Sequence, residues 1–89
     1  MTEEDQVFEG FINKLKSQLY GLLCEYEKKR NWENLLDSIE IELLGLDVKH
    51  KTINYYVLVA KVSSLRFLRY EYFRKTVLDC IPLLDKIKV

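Results

Sequence analysis

Apolar side chains recur along this chain at alternating intervals of four and three residues, the spacing of helices with one buried face. In the first third the series is Phe8, Ile12, Leu15, Leu19, Leu22 and Tyr26, widened by Phe11 and Leu23. It predicts one long helix over residues 3–30. Thr2 suits its N-cap, and Glu3, Glu4 and Asp5 suit the positive end of the helix dipole. Lys28, Lys29 and Arg30 suit the negative end. Gly10 and Gly21 each cost about 1 kcal/mol against alanine inside such a helix. Gly21 lies beside the stripe, where close approach of a second helix would account for it.

Trp32, Leu36, Ile39, Leu43 and Leu46 repeat the spacing and predict a second helix over 32–44. Asn31 suits its N-cap, and Gly45 is expected in the left-handed conformation that stops a helix, with Leu46 folding back. Residues 47–52 read as a polar turn. A competing pattern overlaps this one. Ile39-Glu40-Ile41-Glu42-Leu43 alternates strictly, and 52–62 is rich in β-branched and aromatic residues, both strand signals. They describe a hairpin over 39–62 and an α+β domain ordered α-β-β-α. The helical reading is preferred because its spacing persists from Trp32 to Leu46. A strand would also set Leu44 and Leu46 opposite Ile39, Ile41 and Leu43.

In the last third, Phe73, Val77, Cys80, Leu84 and Ile87 form another stripe. Extended backward it meets Tyr70, Arg66 and Ser63, so it stops there, while Ile53, Val57 and Ala60 follow a different phase. Two helices are predicted, over 52–63 and 65–87, parted at Ser63–Ser64. Pro82 is expected to kink the second or restart its last turn. The expected architecture is all-α, a small antiparallel bundle of three or four helices forming a single domain over 1–89.

Composition fits a folded chain, with 48% apolar residues, three glycines and one proline in 89 residues. A core this small hides that many large apolar side chains poorly, so some are expected in an interface. Basic and acidic residues balance at 14 each. That weighs against a chain acting as a whole as a binder of nucleic acid or an acidic membrane. The charges are unevenly placed. Residues 31–47 hold Glu33, Asp37, Glu40, Glu42 and Asp47 without Lys or Arg, whereas 61–75 hold Lys61, Arg66, Arg69, Arg74 and Lys75 against Glu71 alone. The two segments are expected to meet in the fold. The start lacks the pattern of a secretory signal, and the longest uncharged apolar run, 53–60, is too short for a membrane span. An intracellular, soluble protein of the cytoplasm or nucleus is expected.

Catalytic and metal chemistry find no foothold in the sequence. His50 is the only histidine, has no Cys or His at coordinating spacing, and reads as a solvated turn residue. Cys24 and Cys80 sit among apolar residues and read as buried, inert thiols. Glu25 with Glu27, and Glu40 with Glu42, are two apart and point to different sides of a helix. No phosphate-binding loop is present. The expectation is a non-enzymatic chain with no cofactor, no metal and no small-molecule substrate.

The segment from Leu65 to Lys75, with Tyr55 and Tyr56, holds six of the eleven aromatic residues. As a helix it would set Arg66, Tyr70, Phe73 and Arg74 on one face with Arg69 at the edge. Arg and Tyr most often anchor protein interfaces. The candidate partner-binding residues are therefore Arg66, Arg69, Tyr70 and Arg74, with Trp32 as a second anchor. A structural alternative buries Phe67, Leu68, Tyr72 and Phe73 and lets the arginines reach solvent or the acidic segment.

The function expected is a protein–protein interaction module, regulatory or adaptor in character, binding a partner protein or a second copy of itself. Nucleic acid, held by the basic and aromatic residues of 66–75, is the alternative that the charge balance disfavours. The layout of 32–87, a helical bundle ending in a long irregular helix, also resembles the small bacteriocin-immunity proteins of Gram-positive bacteria. That resemblance would imply protection of a bacterium through a membrane receptor. It involves no shared motif, and the chain lacks the basic excess common in that group.

Overall fold

The computed structural model describes residues 2–87, which form four α-helices: α1 (Glu3–Glu27), α2 (Trp32–Leu44), α3 (Ile53–Ser64) and α4 (Tyr70–Lys86). There is no strand among the described residues, so 39–62 falls in α2, a connecting turn and α3, and the hairpin alternative fails. The reason is packing. Leu36, Ile39 and Leu43 bury along one side of α2, which leaves Ile41 exposed on the other, a partition that only the helical period allows.

Successive helices run antiparallel. Lys14, midway along α1, meets Glu42 near the end of α2, whereas Gly21, further along α1, faces Leu35 near the start of α2. Lys16 pairs with Asp85, and Tyr26 stacks on Phe73, fixing α4 against α1 in the same sense. The bundle measures 40 × 21 × 19 Å and encloses one core, from Ile12, Leu15, Leu19 and Leu22 of α1 to Phe73, Val77, Cys80 and Leu84 of α4. No described helix is long and apolar enough to cross a membrane.

The start of α1 is as its sequence predicts. The Thr2 hydroxyl accepts from the Asp5 amide at 3.2 Å, and the Asp5 carboxylate accepts from the Thr2 amide at 3.3 Å, a reciprocal capping box. Its end is not. α1 stops at Glu27 rather than Arg30, through a Schellman motif in which Lys29 takes the left-handed conformation at φ 56°. The Lys29 amide donates to the Tyr26 carbonyl at 3.1 Å and the Arg30 amide to the Glu25 carbonyl at 3.0 Å. The Arg30 guanidinium then closes on the Glu25 carboxylate with two hydrogen bonds, at 2.8 and 2.9 Å. Gly45, expected to be left-handed, has ordinary helical φ of −80°. Asn31 precedes α2 but makes no side-chain capping bond.

The helix boundaries of α2 match expectation, and those of the last third shift. The break falls at 65–69 rather than at Ser63–Ser64: a 3-10 turn over Leu65–Phe67 is followed by extended Leu68 and Arg69. The face of α3 differs too. Tyr55, Leu58 and Val62 are buried, whereas Ile53 and Val57 are exposed. α4 runs through Pro82 as one element to Lys86, so the proline does not restart the last turn.

Candidate interaction surface

The corner between α3 and α4 is built on a buried peg. The Ser64 hydroxyl donates to the Lys61 carbonyl at 2.7 Å, and Leu65 inserts into the core with no exposed surface. The next two residues diverge. Arg66 turns back to α2, where its guanidinium donates to both Asp37 and Glu40. Those bonds, with Glu40 the larger influence, raise its pKa above the ordinary arginine value. Phe67 points outward and is 85% exposed, more than any other large apolar side chain of the described residues.

The extended backbone at Leu68 and Arg69 ends the turn, and α4 opens with the Phe73 amide donating to the Arg69 carbonyl at 2.8 Å. Because helix does not run through 65–70, Arg66 and Tyr70 do not share a helical face. The surface expected from sequence is thereby divided. Arg66 serves the contact between the acidic and basic segments, while Arg69, Tyr70 and Arg74 remain exposed, and neither Arg69 nor Arg74 forms an ion pair among the described residues. Phe73 is core. Phe67 and Tyr72, which the structural alternative buries, are exposed at 85% and 60%.

Tyr70 reaches across to the end of α1. Its hydroxyl donates to Glu27 at 2.7 Å, which pushes the phenol pKa up, and its ring lies parallel to Tyr26 at 6.0 Å. Trp32 approaches the same Tyr26 edge-on, with centroids 5.0 Å apart. Tyr26, Glu27, Lys29, Trp32 and Tyr70 line one groove of about 500 Å³. Two residues singled out independently, Trp32 and Tyr70, therefore meet in one place.

Sequence reasoning missed Tyr26, Glu27 and Lys29 as members of this groove. Tyr26 closes the apolar stripe of α1 and reads as core, Glu27 reads as helix interior, and Lys29 reads as part of the basic end of the helix. The available signal was the brevity of the link between the first two helices, which forces the end of α1 beside Trp32.

The remaining reactive side chains are dispersed. Cys24 is exposed, contrary to the expectation of two buried thiols, because it lies off the buried stripe of α1. Cys80 is buried, and desolvation pushes its thiol up to about 12. His50 is not a solvated turn residue. It is partly buried, its ring flat on Phe8 at 3.8 Å. Phe8 and Cys24 are separated by about 24 Å of helix at 1.5 Å per residue, so no Cys–His pair forms. No cluster of three or more metal-ligating side chains exists among the described residues.

No family model, curated protein or solved structure matches this chain.

Proposed function

We propose that this chain is a non-enzymatic interaction module that docks a partner protein at the corner where α4 begins. Phe67 is the anchor, Arg69 and Arg74 supply directed hydrogen bonds to carboxylates of the partner, and the Trp32–Tyr70 groove borders the contact. What supports this reading above all is the 85% exposure of Phe67 on a turn pinned by buried Leu65. A large apolar side chain held in water beside arginine and tyrosine has the composition of an interface hot spot. Arg66 is assigned a positioning role, holding the turn against α2. The carboxylate of Glu27 at the groove and the engagement of Arg66 by Asp37 and Glu40 weigh against a phosphate backbone as the partner.

The test is affinity capture from the native host's lysate with wild type, a Phe67→Ala/Arg69→Glu double variant and an Arg66→Ala variant, each shown to be folded. Sedimentation of the pure chain runs beside it. Recovery of one protein by wild type, reduced recovery by Arg66→Ala and loss with the double variant is the expected result. A concentration-dependent dimer abolished by the double variant identifies a second copy as the partner. Identical recovery by all three baits, with an unchanged monomer, rejects the corner as the docking surface.

A further inference from the structure

The end of the bundle remote from this corner carries a second feature. The first turns of α1, the last turn of α2 and the turn after it line an open groove of about 600 Å³. Val7, Phe8, Phe11 and Leu46 give it a largely hydrocarbon lining, and His50 closes one side by lying on Phe8 with its plane 6° from parallel. That volume falls in the range that holds small organic ligands.

Two independent observations define the ligand. The first is an unmet hydrogen-bonding capacity. Among the described residues three buried side-chain polar atoms have no partner, and two belong to residues lining this groove: Glu42 Oε2 and His50 Nδ1. Glu42 Oε1 accepts from Lys14 at 2.8 Å, but its second oxygen is desolvated without a donor, an arrangement that costs free energy until one arrives. The Glu42 side chain keeps 24% of its surface exposed. Its terminal torsion is a soft one, which leaves the carboxylate able to reorient toward a donor.

The second observation is charge. Glu3, Glu4, Glu42 and Asp47 line the space, against Lys49, which sits 3.6 Å from Glu4. With Lys14 on Glu42, two of the four carboxylates are paired and the field inside remains negative. An apolar wall with a negative field and an unfilled acceptor selects an amphipathic cation over an acid or a neutral hydrocarbon.

We infer that this groove binds a small organic amine, its apolar body against Phe8, Phe11 and Leu46 and its ammonium group donating to Glu42 Oε2. The site is separate from the docking corner and does not depend on it.

Titration of the 15N-labelled full chain with 4-phenylbutylamine, 4-phenylbutanol and 4-phenylbutyrate tests the assignment. The amine is expected to saturate with a Kd on the order of 1 mM or below, set by its few non-hydrogen atoms. Amide shifts should be confined to 3–11 and 42–50. The alcohol and the carboxylate should bind at least about tenfold more weakly, the worth of a charged hydrogen bond. Glu42→Gln should weaken the amine by about the same factor. Val7→Trp, made at an exposed rim position that tolerates bulk, should abolish binding and keeps the test open if the Glu42 variant does not fold. Equal binding of amine and carboxylate, shifts centred on Trp32 and Tyr70, or no saturable shift with any of the three overturns the proposal.

Discussion

The hydroxyl of Tyr55 donates a buried 2.9 Å hydrogen bond to the carbonyl oxygen of Leu43, joining the first turn of α3 to the last turn of α2. The last four carbonyls of a helix have no amide partner within it. The Leu43 carbonyl is met twice, by the Leu46 amide at 3.2 Å and by this phenol. Tyr55→Phe leaves the amide in place and should cost only about 1 kcal/mol, the net value of one neutral hydrogen bond. Urea denaturation of the two forms measures it, with the slope unchanged.

The same phenol and the Cys80 thiol make the fold sensitive to alkali. Burial raises both pKa values, Cys80 from an ordinary 9.0 to about 12. A group whose pKa is raised by folding contributes stability fully present below the unfolded value and lost as pH climbs through the folded one. For Cys80 the window runs from 9.0 to about 12, with a slope of about 1.4 kcal/mol per pH unit within it. Melting temperature should fall across this window. Cys80→Ala, lower in stability at neutral pH because of the cavity it leaves, should show a shallower alkaline fall; parallel curves would remove Cys80 as a cause.

Phe67 and Phe73 are six positions apart and should respond oppositely to truncation. Phe73 has no exposed surface and is stacked on Tyr26 at 3.8 Å, with Trp32 edge-on at 5.5 Å. Phe73→Ala should cost about 3–5 kcal/mol, a large share of the stability of a domain this small. Phe67→Ala should lie within about 0.5 kcal/mol of wild type. Thermal unfolding of the two variants side by side distinguishes core from surface.

Two backbone positions offer gains in stability. Nothing lies within 4 Å of where a Cβ would sit on Gly10, in the interior of α1. Gly10→Ala should therefore stabilise by about 0.5–1 kcal/mol. Lys29 holds a left-handed φ of 56°, which disfavours a side chain by about 1–2 kcal/mol, so Lys29→Gly should recover part of that strain. Raised melting temperatures check both.

The two thiols should differ in reactivity. Cys24 is exposed and Cys80 buried in its neutral form. A disulfide reagent should modify Cys24 rapidly in the native chain and reach Cys80 only on unfolding, as peptide mapping would record.

Much of the fold was legible because helical periodicity reports burial directly. The 3–4 stripes of α1, α2 and α4 coincide with the observed core. α3 was misread, since Ile53, Val57 and Ala60 are as apolar in sequence as Tyr55, Leu58 and Val62, and only the neighbouring helices decide which face is covered. The end of α1 was hidden for another reason. Lys29 carries no compositional sign of a left-handed conformation, whereas Gly45 carries one and does not use it. At the candidate surface, residue type identified Arg69, Tyr70, Arg74 and Trp32 as exposed or groove-lining groups, but assigning Arg66 required knowing that the chain leaves the helix at Leu68.

The buried Leu65 also bears on what association would cost at Phe67. A loop that must be ordered on binding gives up backbone and rotamer freedom in the complex. The turn carrying Phe67 is already held on its N-terminal side by Leu65 in the core and Arg66 on Asp37 and Glu40, and on its other side by Leu68 packed against the core. Most of that entropy has been surrendered during folding. A partner docking there would therefore meet a preorganised wedge, and such a contact could be selective without being large.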